Sequence, residues 1–174
     1  QVCLNSMSAD SMSVFFYIHH MAPHWPYVYN EDCTERDGTS SREATANFIG
    51  YKKSYICVLK KIDKLMLYIN KNDPNAIVII QGDHGFEFDH TGNLKSSGFT
   101  KNNAIKRLTH FNAIKINDEC KSFISNNIGS INAVRLALSC ATNQKPKLIE
   151  EKSYVGFYET QKGFGKVFNL DDLK

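Results

Sequence analysis

Apolar residues in this chain occur in short runs and in stretches with helical spacing. Residues 76–80 form an apolar run rich in β-branched side chains, the pattern of a strand buried on both faces. Residues 14–18 form a second run, aromatic and β-branched, which predicts another buried strand. From about Tyr51, apolar residues recur every three or four positions and predict an amphipathic helix. Its apolar face comprises Tyr55, Val58, Leu59, Ile62, Leu65, Met66 and Ile69.

The order of these segments predicts a crossover unit. The helix is expected to end in residues 72–75, because Pro74 disfavours helical geometry in the residue before it. Strand, loop, helix and strand in succession predict two parallel strands with the helix packed on one face of the sheet. Lysines on the rest of the helix surface indicate a solvated face rather than a nucleic-acid patch; they are Lys52, Lys53, Lys60, Lys61 and Lys64.

The C-terminal half predicts one more strand and one more helix. Residues 107–116 carry Leu, Phe and Ile in a pattern typical of a strand near a sheet edge. Residues 128–141 show apolar residues at helical spacing, with Asn127 or Ser130 as the expected N-cap.

The remaining segments predict loops and a hairpin. Residues 1–13, 28–50 and 86–103 are polar or lack periodicity and are expected to be loops. Residues 153–168 alternate around a glycine turn and predict a β-hairpin. Residues 1–174 are therefore expected to form a single α/β domain.

Composition narrows the class of protein. The 174 residues are 42% hydrophobic and 22% charged, which is typical of a folded chain. The formal net charge of +3 is too small to argue for a nucleic-acid partner. No apolar run reaches the ~18 residues that a membrane span needs, and no signal peptide is recognisable. The chain begins with Gln1 rather than Met, so we expect it to be part of a longer protein.

The cysteines show no zinc-binding spacing. The five cysteines are Cys3, Cys33, Cys57, Cys120 and Cys140. None forms a Cys-x-x-Cys pair, which argues against a structural zinc site. They permit up to two disulfides with one thiol left over.

Candidate metal ligands follow the apolar run of residues 76–80. Asp83 and His84 stand between Gly82 and Gly85, whose backbones can turn sharply. Open α/β sheets bind ligands beyond the carboxyl ends of their strands, where these side chains are expected. A zinc-like ion takes three or four ligands, so an isolated pair is also compatible with a simple turn.

Histidines follow the predicted strand of residues 14–18. His24 lies between Pro23 and Pro26, which restrict the backbone around it. A packed or hydrogen-bonded ring is the usual role of any one histidine. The placement of His24 between two prolines favours a functional role, and we expect His24 to share a cleft with Asp83 and His84.

The two motifs together resemble a known family. His-x-x-Pro-His-x-Pro from His20 and Gly-Asp-His-Gly from Gly82, separated by one crossover, resemble the sulfatase-like branch of the alkaline phosphatase superfamily. That branch includes sulfatases and phosphoethanolamine transferases. Residues 111–114 and 131–135 also resemble segments of its bacterial glycan-associated members. The resemblance covers roughly residues 14–160.

The resemblance implies a site and a chemistry. Asp83 and His84 would bind a divalent ion (zinc, manganese or calcium), and His24 would contact the transferred group or help to hold a second metal. The implied fold is a partial alkaline-phosphatase-like sheet with flanking helices and a C-terminal hairpin. The implied function is that of a metal-dependent hydrolase or transferase acting on phosphate or sulfate esters of cell-envelope glycans or lipids. The implied location is the periplasmic or extracellular face of the membrane.

The departures from the family are equally informative. No Cys-x-Pro-x-Arg or Ser-x-Pro-x-Arg nucleophile motif is present, and residues 33–36 do not match one. His90 comes too soon after the Gly-Asp-His-Gly motif to correspond to a later zinc ligand. The chain thus resembles the C-terminal part of the catalytic domain. It would need an N-terminal half, with or without a membrane anchor, and would be inactive alone. The alternatives are a non-catalytic anion- or glycan-binding module and a structural domain with packed histidines.

The resemblance also bears on the cysteines. Cysteines recur near Cys33 and Cys57 in the enzymes that the chain resembles, and extracytoplasmic proteins retain disulfides. We therefore expect a Cys33–Cys57 disulfide that ties the long loop to the helix, with two reduced thiols as the alternative.

Overall fold

The fold is a partial α/β arrangement with flanking helices and a C-terminal hairpin. The computed structural model describes residues 14–36, 48–86, 101–125, 128–159 and 163–169, the last two strands by their backbone alone. The elements are α1 (Phe48–Asn72), β1 (Val78–Gln81), α2 (Lys101–Leu108), β2 (Asn112–Lys115), α3 (Asp118–Lys121), α4 (Ser130–Ala141), β3 (Tyr154–Glu159) and β4 (Gly163–Asn169).

Helix α1 confirms the helix predicted from periodicity. It begins three residues before Tyr51 and ends at Asn72, just before the predicted proline stop. Cys57 on its buried face forms a disulfide with Cys33, with Cα atoms 5.0 Å apart. The predicted pairing of these two cysteines is therefore confirmed. It joins the segment after the histidine motif to the middle of α1.

The central strand has a different partner from the predicted one. β1 pairs antiparallel with β2, with Ile79 opposite Ile114, and both strands are half-buried rather than covered on both faces. The predicted parallel crossover is wrong for the described residues. The predicted strand over residues 107–116 is shortened at its start, because residues up to Leu108 continue α2. The apolar pattern located the strands, but the pairing partner is decided by contacts distant in sequence.

Residues 14–18 do not form the predicted strand. They have no regular secondary structure and all five side chains are exposed, from 47% for Phe16 to 81% for Phe15. A strand exists only through hydrogen bonds to a neighbouring strand, and these residues have none within the described part of the chain. The aromatic and β-branched pattern is therefore insufficient here to form a strand.

The C-terminal helices build the core under the sheet. Leu136 of α4 is fully buried and packs with Ile116, Cys120 and Cys140, and Ile77, Ile114 and Ile128 pack against this group. A second disulfide, Cys120–Cys140, has Cα atoms 6.1 Å apart and links α3 to α4. With two disulfides formed, the fifth cysteine, Cys3, lies outside the described residues.

The remaining predictions have mixed outcomes. The hairpin is confirmed, because β3 and β4 pair antiparallel with Tyr154 opposite Asn169. The predicted N-caps of the second long helix are wrong, because the N-cap of α4 is Gly129 and Ser130 is already helical; Asn127 lies outside the described residues. The predicted loop 1–13 also lies outside them, as do residues 37–47 of the predicted loop 28–50 and residues 87–100, including His90, of the predicted loop 86–103. The loop prediction is wrong for residues 101–103, because α2 begins at Lys101. No helix of the described ranges is long and apolar enough to cross a bilayer.

Candidate functional site

Asp83 and His84 lie directly after β1, at the end of the strand where they were predicted. The Asp83 side chain is 88% exposed and that of His84 is 32% exposed. Oδ2 of Asp83 lies 3.5 Å from Nε2 of His84, and Oδ1 accepts a hydrogen bond from the His84 backbone N–H at 3.0 Å. The carboxylate is therefore held beside the imidazole by its own loop.

The separation of these two atoms suits a shared metal ion. Zinc binds carboxylate oxygen and imidazole nitrogen at about 2.0–2.2 Å, so two ligands at the tetrahedral angle lie roughly 3.4 Å apart. Oδ2 of Asp83 and Nε2 of His84 are 3.5 Å apart. The donor set fits a divalent ion. Among the described residues, no group of three or more His, Cys, Asp or Glu side chains could hold one.

The other ring nitrogen of His84 has two competing neighbours. Nδ1 lies 2.7 Å from the carbonyl oxygen of Gly85 and 2.7 Å from Nη1 of Arg107. A carbonyl only accepts and a guanidinium only donates, so Nδ1 satisfies Gly85 when protonated and Arg107 when not. The Gly85 bond leaves the Nε2 lone pair available, which is the usual state of a metal-bound histidine.

Gly85 fastens the loop to the end of α2. It is buried, and its N–H donates to the carbonyl oxygen of Arg107 at 2.7 Å. A Cβ at this position would lie 2.0 Å from the carbonyl oxygen of Lys106 and 2.1 Å from that of Thr109. Glycine is required here by close packing, since its backbone is not in the left-handed region. The role expected of Gly85 from the sequence was different, namely to let the backbone turn sharply.

Aromatic contacts tie the two candidate loops to the same residue of α1. The ring of Phe86, two residues after His84, lies 4.8 Å from the ring of Tyr51 between centroids. The ring of Tyr27, three residues after His24, lies 5.7 Å from the same Tyr51 ring. Burial raises the pKa of Tyr51, as expected for a phenol inside such a cluster. The histidine turn and the Asp83–His84 loop are thus both anchored on one side chain.

His24 lies in a turn between its two prolines. Its backbone N–H donates to the carbonyl oxygen of Met21 at 2.7 Å, and its ring stacks on Trp25 with centroids 5.8 Å apart. No contact between His24 and Asp83 or His84 is found within the described residues. Their convergence in one cleft therefore stays a prediction.

Three residues near the loop were not identified from the sequence as candidate site residues. Arg107 was placed in a predicted strand, although it lies on α2 and contacts His84. His110 and Ser130 are 20 residues apart, yet their side chains are hydrogen-bonded. No short motif joins such residues, so only the folded chain reveals their contact.

Comparison with known proteins identifies the family of the chain. Searches of curated proteins and of solved structures find no match to this chain. The family model described as Sulfatase matches residues 4–125, well over half of the 174 residues, and includes both His24 and the Asp83–His84 pair. The chain therefore belongs to the sulfatase family.

Proposed function

We propose that this chain is part of a metal-dependent sulfatase-like hydrolase or transferase that acts on phosphate or sulfate esters. Membership of the sulfatase family indicates sulfatase-like hydrolase activity. The observation that carries the metal-dependent part is the 3.5 Å separation of Asp83 Oδ2 and His84 Nε2 at the end of β1. These two side chains would hold the ion, which when bound polarises the ester oxygens and lowers the pKa of a bound nucleophile.

His24 is proposed to contact the transferred anionic group or to help hold a second ion. The support is the shared anchoring of its turn and of the Asp83–His84 loop on Tyr51 through Tyr27 and Phe86. An imidazolium hydrogen bond stabilises charge that develops on a transferred sulfate or phosphate. The chain's own part in the reaction is therefore to position an anion beside the ion.

The proposed location is the periplasmic or extracellular face of the membrane, and the proposed substrates are cell-envelope glycans or lipids. The support for the location is the pair of disulfides, Cys33–Cys57 and Cys120–Cys140. Disulfides persist in oxidising compartments and are rare where glutathione keeps thiols reduced.

Metal titration tests the proposal directly. Isothermal titration of the chain with Zn²⁺, Mn²⁺ and Ca²⁺ is expected to show one site that Asp83→Asn weakens at least ~10-fold, because it removes a charged oxygen ligand. Asp73→Asn is the matched control, since Asp73 is an exposed aspartate just beyond α1. Equal affinity in wild type and Asp83→Asn would overturn the assignment.

Turnover by the chain alone provides a second test. We expect the chain alone to hydrolyse neither p-nitrophenyl sulfate nor p-nitrophenyl phosphate, because a nucleophile motif of the family is missing. Metal-dependent turnover that is lost in Asp83→Ala would contradict this expectation.

The alternative is a non-catalytic anion- or glycan-binding module. The observation that favours it is that only two candidate metal ligands, Asp83 and His84, lie together among the described residues. The encoded sequence preceding Gln1 discriminates: a nucleophile segment there supports the enzyme, and its absence supports the binding module.

A further inference from the structure

A second pair of reactive side chains lies near the end of β1, outside the proposed metal site. Nε2 of His110 lies 2.7 Å from Oγ of Ser130, and Nδ1 of His110 lies 3.0 Å from the carbonyl oxygen of Leu108. A carbonyl only accepts, so the Leu108 contact is a hydrogen bond only when Nδ1 carries the proton. In that tautomer Nε2 accepts and the Ser130 hydroxyl donates, which is the polarity of a nucleophile and its general base.

Neighbouring strand ends hold the backbone around Ser130. Nε2 of Gln81, the last residue of β1, donates to the carbonyl oxygen of Ser130 at 3.1 Å and to Oδ1 of Asn112 at 3.1 Å. Nδ2 of Asn112 donates in turn to the carbonyl oxygen of Ile128 at 3.0 Å. Ser130 and His110 are both half-buried, so they are partly shielded from water yet accessible. These bonds connect the backbone around Ser130 to residues of both strands.

Helix α4 adds backbone donors beside Ser130, its first residue. The Glu151 carboxylate accepts hydrogen bonds from the N–H groups of Gly129 at 2.8 Å and Asn132 at 3.0 Å. The N–H groups of Ser130 and Ile131 lie between these two in the same turn and donate to no acceptor within the described ranges. The Glu151 carboxylate thus caps the first turn of the helix that carries Ser130.

Charge decides which substrates suit the pair. The Glu151 carboxylate accepts hydrogen bonds from Gly129 and Asn132, which flank Ser130 in the sequence, and repels anions there, so a phosphate or sulfate ester is disfavoured. An uncharged carboxylic ester meets no such repulsion. The substrate class therefore differs from that of the proposed metal site.

We propose that Ser130 and His110 form a nucleophile–base dyad for uncharged carboxylic esters. Oγ of Ser130 attacks the acyl carbon while its proton passes to Nε2 of His110. The bond from the acyl carbon to the alcohol oxygen then breaks, and His110 gives its proton to the departing alcohol. Water, deprotonated by His110, releases the acid from the acyl-serine and returns the proton to Oγ.

Covalent labelling tests the dyad without any metal. An alkyl fluorophosphonate transfers its phosphonyl group to an activated serine: the Oγ–P bond forms, the P–F bond breaks, fluoride leaves and the proton goes to the base. We expect intact-mass analysis to show one adduct, mapped by peptide sequencing to Ser130, and p-nitrophenyl acetate to be hydrolysed slowly. His110→Gln is expected to slow both reactions by about 100-fold or more, the usual contribution of a general base.

The controls separate reactivity from structure. Ser139→Ala, on the same helix, should leave labelling unchanged, whereas Ser130→Ala should abolish it; circular dichroism and thermal melting establish that each variant is folded. Labelling that persists in excess chelator shows that the dyad is independent of the proposed metal site. An unlabelled Ser130 in folded protein, or labelling at full rate in folded His110→Gln, would show that the bond only connects α4 to the loop before β2 and would overturn the proposal.

Discussion

Gly85 donates its backbone N–H to the carbonyl oxygen of Arg107 at 2.7 Å, and this bond seats the Asp83–His84 loop on the C-terminal end of α2. The carbonyl ends of a helix carry partial negative charge, which favours a cation nearby. The same glycine therefore shapes the loop and places it at the negative end of α2, which favours a bound cation.

Replacing Gly85 by alanine should disrupt this packing. The new Cβ would meet two backbone carbonyl oxygens at 2.0 and 2.1 Å, so the loop must move away from α2. We expect a loss of roughly 1–3 kcal/mol in the free energy of unfolding, measured by urea denaturation, together with loss of metal binding. Gly82→Ala is the matched control, because its Cβ would meet its nearest neighbour at 3.6 Å and should cost under about 1 kcal/mol. Equal stability of the two variants would contradict the packing argument.

Glu151 caps the N-terminus of α4, although it lies 22 residues from Gly129 and 19 residues from Asn132 in the sequence. Glu151→Ala leaves two N–H groups without their charged acceptor and should lower the free energy of unfolding by about 1–2 kcal/mol. Glu150→Ala provides the comparison, since the exposed pair of Glu150 and Lys152 should contribute under about 0.5 kcal/mol. Thermal melting of both variants measures the difference, and a larger effect at Glu150 would refute the cap.

Removal of the disulfide between Cys33 and Cys57 should destabilise the chain substantially. The sequence separation is 24 residues, for which the chain-entropy estimate is roughly 3 kcal/mol. The double variant Cys33→Ser, Cys57→Ser is expected to unfold at correspondingly lower urea concentration, and Cys3→Ser serves as the control that breaks neither bridge. Titration of five free thiols in denatured, unreduced protein would rule out both bridges.

Asp32 makes a pH-dependent contribution to the stability of the folded chain, in the loop that carries Cys33. The hydroxyl and the N–H of Thr34 donate to its carboxylate at 2.6 and 3.0 Å and lower the pKa of Asp32, the hydroxyl having the larger effect. Because the folded-state pKa is lowered, the stabilisation is present above the unfolded value of about 3.9 and is lost as pH falls through the folded value.

Thr34→Val removes the hydroxyl and should raise the pKa of Asp32 toward its unfolded value. Thr34→Ser retains the donor and should leave the pKa low. Carboxyl chemical shifts followed by NMR between about pH 2 and 5 measure both variants. An unchanged Asp32 titration in Thr34→Val would show that the hydroxyl bond is not formed in solution.

The sequence by itself determined the elements whose signal is local. The three- and four-residue spacing from Tyr51 located α1, and Pro74 located its end, because amphipathic periodicity and proline geometry act within a few residues. The Gly-Asp-His-Gly motif placed Asp83 and His84 at a strand end for the same reason. Cys33 and Cys57 were paired correctly with help from the family resemblance.

Only the tertiary structure decided the features that depend on distant residues. It paired β1 with β2 in antiparallel register, left residues 14–18 exposed, and gave the cap of α4 to Glu151. It also brought His110 to Ser130 across 20 residues of sequence. Strand partners, remote caps and side-chain pairs are hydrogen bonds between groups far apart in the chain. Local propensity does not encode which distant group satisfies each donor or acceptor, so folding itself makes that choice.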